Sequence, residues 1–166
     1  MIPKLIRMID SFAAAGGYLS AFFMVLIVVL ITVEIFLRTV FNFSTLIADE
    51  YSAYFFVAVV MLGLALTLRD EGHIRITLIL SRLSPNALRI VDILAALFAV
   101  ALCTFALHHS VIMVYETYAL KMTADSISET PIYLPQLAIP IGFLMFDLQL
   151  IAVLLRRLIS SPTRSS

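Results

Sequence analysis

Residues 12–33 read FAAAGGYLSAFFMVLIVVLITV, a run of 22 residues without a charged side chain. A helix crosses roughly 30 Å of hydrocarbon with about 20 apolar residues, so this run is long enough to span a membrane. Lys4 and Arg7 precede it, as in a secretory signal, but the apolar region of such a signal is only about 7–15 residues long. No small-residue cleavage site follows the run. We therefore predict that it is a retained first membrane span.

The composition of the whole chain also indicates a membrane protein. Of its 166 residues, 62% are hydrophobic and 13% are charged, whereas soluble domains average about 45–50% apolar and about 25% charged residues. Basic and acidic residues both number 11, so net charge gives no indication of a nucleic-acid partner. The single cysteine, Cys103, excludes an intramolecular disulfide and a cysteine metal cluster, and we interpret it as a small core residue.

Four apolar segments are long enough to cross a membrane, at approximately residues 12–40, 48–68, 88–118 and 132–155. The segments are continuously apolar and lack the alternation of a barrel strand, so we predict helices. The predicted fold is an all-α integral membrane protein with four transmembrane helices. No internal repeat or linker is present, and residues 1–166 are therefore predicted to form a single domain.

Basic residues in short loops mark the cytoplasmic side of a membrane protein. The loop after the first span has none, and the loop after the third span has Lys121 offset by Asp125 and Glu129. We therefore predict that both termini are cytoplasmic. The basic residues of the predicted cytoplasmic segments are Lys4, Arg7, Arg69, Arg75, Arg82, Arg89, Arg156, Arg157 and Arg164.

The connector between the second and third spans contains the sequence IRITLILSRLS at residues 74–84. At 100° per residue its apolar side chains share one face, and the segment is too short and too charged to cross the membrane. We predict an amphipathic helix that lies on the membrane surface. Its assigned residues are Arg75, Ile76, Ile79, Arg82 and Leu83.

Acidic residues occur at both ends of the first predicted outer loop. Glu34 and Arg38 are four residues apart with the acid first, the favourable order for an ion pair on a helix. This spacing fits a neutralising pair, a docking contact to another subunit, or part of a relay. Asp49 and Glu50 begin the second span, where acidic residues favour the helix dipole, and contact with a periplasmic partner is an alternative role.

The last span carries one acidic residue and a cluster of helix-bending residues. Asp147 lies in its cytoplasmic half, and the third span carries Asp92 at a similar depth. An ionisable group at such a depth needs a partner, and the arginines predicted at that level are Arg7, Arg89 and Arg156. Pro140 and Gly142, near Pro135 and Gln136, predict a bend or a close helix contact.

The motifs of catalytic and cofactor sites are missing from the sequence. His108 and His109 are adjacent, so their side chains diverge by about 100° on a helix and cannot share one ligand. No spacing typical of a metal site, a catalytic triad or a nucleotide fingerprint is found. We therefore predict no catalytic residue, no metal ligand and no bound cofactor, and hence a protein that is not an enzyme.

These features resemble the small membrane subunit of tripartite ATP-independent periplasmic (TRAP) transporters over nearly the whole chain. The matching fragments are EIFLR at 34–38, DE at 49–50, GHIRI at 72–76, PQ at 135–136 and PIG at 140–142. The resemblance implies a bacterial inner-membrane protein with two partners, a large membrane subunit of about 12 spans and a periplasmic substrate-binding protein. It implies that the large subunit carries an organic acid with sodium, which the large subunit itself binds.

In this resemblance the small subunit is a scaffold that packs against the large subunit. The residues assigned to the subunit interface or to structural contacts are Glu34, Arg38, Asp147, Pro140 and Gly142. Those assigned to a periplasmic docking face are Asp49, Glu50 and Asp125. Two other functions stay open: a membrane anchor of a quinone-linked redox enzyme, and a small exporter that acts as a homo-oligomer.

Overall fold

The computed structural model describes residues 2–70 and 85–159, and within these ranges the regular structure is entirely helical. The predicted surface helix at residues 74–84 lies outside the described residues. Four described helical segments are long and apolar enough to cross a membrane, which confirms the predicted fold class. The helices are α1 (Ile2–Phe41), α2 (Ala48–Arg69), α3 (Pro85–Ala119), α4 (Tyr133–Gln136) and α5 (Ala138–Ile159).

The first helix begins ten residues before residue 12, where the first membrane span was predicted to start. α1 has 40 residues, which corresponds to about 60 Å at 1.5 Å per residue. Lys4, Arg7 and Asp10 are compatible with a helix, and Asp10 has a partner on α5. Polar residues end the apolar run but do not end the helix, because the helix continues beyond the hydrocarbon.

The predicted fourth span is divided into α4 and α5, with Leu137 between them. Pro140 has no N–H group to donate to the carbonyl of Gln136, so the ladder of helical hydrogen bonds is interrupted there. Leu137 keeps helical angles (φ −57°, ψ −27°), and the chain therefore continues in nearly the same direction. The bend predicted from the prolines is a local break in hydrogen bonding.

α5 is the central helix of the bundle and packs against α1, α2 and α3. Small residues allow this close approach, since membrane helices associate by van der Waals contact rather than by excluding water. α3 packs on α4 and α5 and presents its opposite side outward. The core between α1, α2 and α5 consists of Ala13, Ala58, Leu62, Ala65 and Met145.

Candidate subunit interface

Glu34 and Arg38 form the ion pair that their spacing predicts, with 2.8 Å between Arg38 Nε and Glu34 Oε1. The sequence did not indicate that Glu34 also fastens the loop that joins α1 to α2. Ser44 Oγ donates to Glu34 Oε1 at 2.6 Å, and Thr45 donates to Oε2 through its backbone N–H at 3.2 Å and through its hydroxyl. Leu46, with φ 58°, follows in the left-handed region. The Glu34 carboxylate therefore holds a strained loop.

The two members of this pair differ in exposure. The side chain of Glu34 is 7% exposed, whereas that of Arg38 is 52% exposed. Glu34 is thus a hydrogen-bond acceptor that serves the fold near the end of α1. One side of the Arg38 guanidinium is accessible to a neighbouring molecule.

Glu50 joins α2 to the loop at residues 120–132. Its carboxylate accepts hydrogen bonds from Tyr54 Oη at 2.7 Å and from Ser128 Oγ at 2.9 Å. The hydroxyls of Tyr51 and Thr130, 3.1 Å apart, add a second link between the same elements. Both predicted acids begin α2, as expected, but only Glu50 is tied into the loop.

Asp49 and Asp125 are exposed at the same end of the bundle as the Glu50 network. Asp49 lies in the first turn of α2, where it favours the helix dipole. Asp125 lies in the loop that the Glu50 network anchors to α2. Two of the three predicted docking residues are therefore exposed at one end of the molecule. The third, Glu50, is less exposed.

The opposite end of the bundle is held by a cluster that the sequence did not predict. Arg156 forms an ion pair with Asp10, and Gln149 Nε2 donates to Asp10 Oδ1 at 3.1 Å. Arg69 Nη1 donates to the backbone carbonyl of Asp10 at 3.3 Å. Asp10 therefore joins α1 to α2 and α5. Arg156, one of the three arginines suggested as partners for Asp147 or Asp92, pairs with Asp10.

Asp147 is 7% exposed and lies between α5 and α3. Its Oδ2 atom accepts a hydrogen bond of 3.0 Å from Thr104 Oγ1. Cys103 is buried beside it, with its Sγ atom 3.5 Å from the carbonyl oxygen of Phe143. The partner of Asp147 in this contact is thus a hydroxyl on α3, and its role there is to join two helices.

Gly142 is a point of close approach between α5 and α2. A Cβ atom at this position would lie 2.5 Å from the carbonyl oxygen of Met61 and 2.7 Å from its carbonyl carbon. Pro140, two residues earlier on α5, is also buried. Of the bend or close contact expected near these residues, the structure shows a close contact at Gly142. Gln136, predicted to bond between helices, has a buried Oε1 without a hydrogen-bond partner among the described residues.

The assigned surface-helix residues Arg75, Ile76, Ile79, Arg82 and Leu83 lie outside the described residues. The two adjacent histidines are described: their ring centroids are 5.5 Å apart, with an angle of 74° between the rings. Both imidazoles are exposed on α3.

A cavity of about 420 Å³ opens between α1, α2 and the α4–α5 segment. Its polar side chains are the hydroxyls of Tyr51, Tyr54 and Thr130, and none of its lining residues in the described part of the chain is charged. Across residues 2–70 and 85–159, no group of three or more His, Cys, Asp or Glu side chains is arranged to hold a metal ion.

Comparison with known sequences identifies the family of this chain. A small permease protein of a TRAP transporter from Haemophilus influenzae is 26% identical over 131 residues, which cover 79% of this chain and 78% of that protein. The sequence model described as "Tripartite ATP-independent periplasmic transporters, DctQ component" matches residues 27–160. The match covers the ion pair of α1, all of α2 and α3, and α5 to its end. The resemblance found in the sequence is confirmed: the chain belongs to the DctQ family, the small membrane component of TRAP transporters.

Proposed function

We propose that this chain is the scaffold subunit of a sodium-driven transporter for organic acids. In this proposal it packs against a large membrane subunit, which binds sodium and the substrate, and it helps to dock a periplasmic substrate-binding protein. It lies in a bacterial inner membrane with both termini in the cytoplasm. The surface helix at residues 74–84 holds the subunit at the inner surface.

The contacts of three carboxylates support this function most strongly. The carboxylates of Glu34, Glu50 and Asp10 are each bound by groups of the same chain, and each joins helices or loops. The described residues that line the cavity between α1, α2 and the α4–α5 segment are uncharged. A transporter needs polar groups that are free to replace the hydration of its solute. These carboxylates instead stabilise a bundle, which suits a subunit that stays still while its partner moves.

The exposed Arg38 guanidinium is proposed as one contact to the large subunit. We expect Arg38→Ala to lower co-purification of the large subunit about fivefold, which corresponds to about 1 kcal/mol. Glu34 keeps its bonds to Ser44 and Thr45 in this variant, so the fold is expected to survive. Glu34→Ala is expected to weaken assembly as well, because it releases the loop. Neither change is expected to alter substrate preference.

The measurement is the ratio of large to small subunit after affinity purification of tagged complexes. Lys121→Ala, which removes another exposed positive charge at the same end of the molecule, is the matched control and is expected to leave the ratio unchanged. Unchanged ratios for both Arg38→Ala and Glu34→Ala would remove these residues from the proposed interface.

Asp49 and Asp125 are proposed to steer the binding protein to the complex. We expect the double variant Asp49→Asn, Asp125→Asn to raise the KM for loaded binding protein about threefold at low salt, because exposed interfacial charges mainly affect association. The maximal transport rate is expected to stay the same. Asp70→Asn, an exposed acid at the other end of α2, is the control. A KM equal to that of the wild type across salt concentrations contradicts this role.

A further inference from the structure

α3 has one face that is built to pack against α5. Four small side chains repeat every seven residues along it, and their exposures are only 5–7%. A seven-residue repeat of small side chains lets two helices approach closely along a continuous seam. The residues of this seam are Ala96, Cys103, Ser110 and Thr117.

The opposite face of α3 carries two imidazoles. At 100° per residue, Phe105 and Ile112 lie near the middle of this outward face, with His108 and His109 on its two flanks. Phe105 is 63% exposed and Ile112 is 37% exposed, and both histidines are exposed. We name this surface, together with Phe98, the histidine face.

Two helix contacts give the depth of the histidine face. Gly142 lies against Met61, which is 13 residues, or about 20 Å, from Ala48 at the outer end of α2. The next residue of α5, Phe143, contacts Cys103, so Cys103 lies at nearly the same level. His108 is five residues closer to the outer end, which is about 7.5 Å. Along the bundle axis the imidazoles are therefore about 12 Å from the level of Ala48, within the segment Ile90–Ala119 that is long and apolar enough to cross a membrane.

An imidazole at this depth needs hydrogen-bonding partners. Each neutral ring has one N–H donor and one nitrogen acceptor, and lipid tails supply neither group. Within the described parts of the chain, the contacts of these rings are with Phe105 and with each other, at centroid distances of 4.4 and 5.5 Å. Ionisable residues of membrane helices almost always face protein or water. The histidine face is therefore suited to a protein partner.

The outward face of α1 offers the contrast. Phe22, Val25 and Val29 are 51–60% exposed there, and their side chains have no polar group that needs a partner. Tyr18, on the same face and 80% exposed, adds one phenol hydroxyl. The two outward faces of the bundle therefore differ in chemistry, because that of α3 carries two adjacent imidazoles, whereas that of α1 is apolar apart from the hydroxyl of Tyr18 among these residues.

We propose that the histidine face docks a membrane helix of the large subunit, and that His108 and His109 hydrogen-bond to polar or backbone groups of that helix. This inference rests on the proposed scaffold function and adds to it the surface that makes the contact. The aromatic rings of Phe98 and Phe105 supply the apolar part of the interface, and the imidazoles fix its register.

The test is photo-crosslinking in membranes that contain the whole transporter. A benzophenone amino acid is placed at Phe105 in one variant and at Phe22 in another. We expect an adduct with the large subunit from position 105 and none from position 22. An adduct from position 22 alone, an adduct of position 105 with a second copy of this chain, or no adduct from either position would overturn the inference.

A second measurement distinguishes the contribution of hydrogen bonding to this interface from the contribution of side-chain shape. We expect the double variant His108→Leu, His109→Leu to lower co-purification of the large subunit about tenfold, since each interhelical hydrogen bond contributes modestly. The double variant His108→Gln, His109→Gln keeps a donor and an acceptor at each position and is expected to restore most of the binding. Equal binding by the leucine variant and the wild type would contradict the inference. Failure of the wild-type subunits to co-purify would instead contradict the proposed function itself.

Discussion

Gly142→Ala is expected to lower the stability of the bundle by about 1–3 kcal/mol, the usual cost of overpacking a core. The added Cβ would meet the backbone of Met61, with 2.5 Å to its carbonyl oxygen. Backbone atoms of a packed helix cannot move aside alone, so α2 and α5 must separate. The greater helix propensity of alanine, worth about 1 kcal/mol, offsets only part of this cost. The measurement is the fraction of monodisperse protein left after heating in detergent.

Gly63→Ala is the matched control for this substitution. It also adds one methyl group to a glycine of a membrane helix, but there the Cβ would lie 3.2 Å from Ser20 Oγ and 3.8 Å from Ser20 Cβ. Since those atoms belong to a side chain that can adjust, a small change in stability is expected. Equal losses for the two variants, or none for Gly142→Ala, would contradict the account of α2–α5 packing.

The four spans could be predicted because hydrocarbon imposes one requirement on every segment that crosses it. A long apolar run satisfies that requirement wherever it occurs, so the position of a span can be predicted from the local sequence. The start of α1 could not be predicted in this way. Lys4, Arg7 and Asp10 show where the apolar run begins, but a helix can continue past the membrane surface, and α1 begins at Ile2.

The candidate site was predictable only where its contacts are local. The Glu34–Arg38 pair follows from a spacing of four residues, whereas the bonds from Ser44 and Thr45 depend on a loop that folds back onto α1. Asp10 and Arg156 are 146 residues apart, and no local pattern relates them. Local spacing therefore could not identify Asp10 as the partner of Arg156. The break at Pro140 and the close contact at Gly142 have local causes, and the residue types there predicted a bend or a close helix contact.

We expect this chain alone to transport no organic acid. Moving an organic anion through this bundle requires groups that replace its water, because an unpaired charge in a low-dielectric interior costs several kcal/mol. The cavity offers hydroxyls and apolar side chains, and the described acids Glu34, Glu50 and Asp10 are bound within the chain. We therefore expect the isolated subunit not to carry the solute.

Uptake into proteoliposomes tests this central claim most directly. The vesicles contain this chain alone, the large subunit alone, or both, and each receives a sodium gradient, the binding protein and a labelled organic acid. We predict sodium-dependent uptake only in vesicles that hold both membrane subunits. Uptake by vesicles that hold this chain alone would contradict the account.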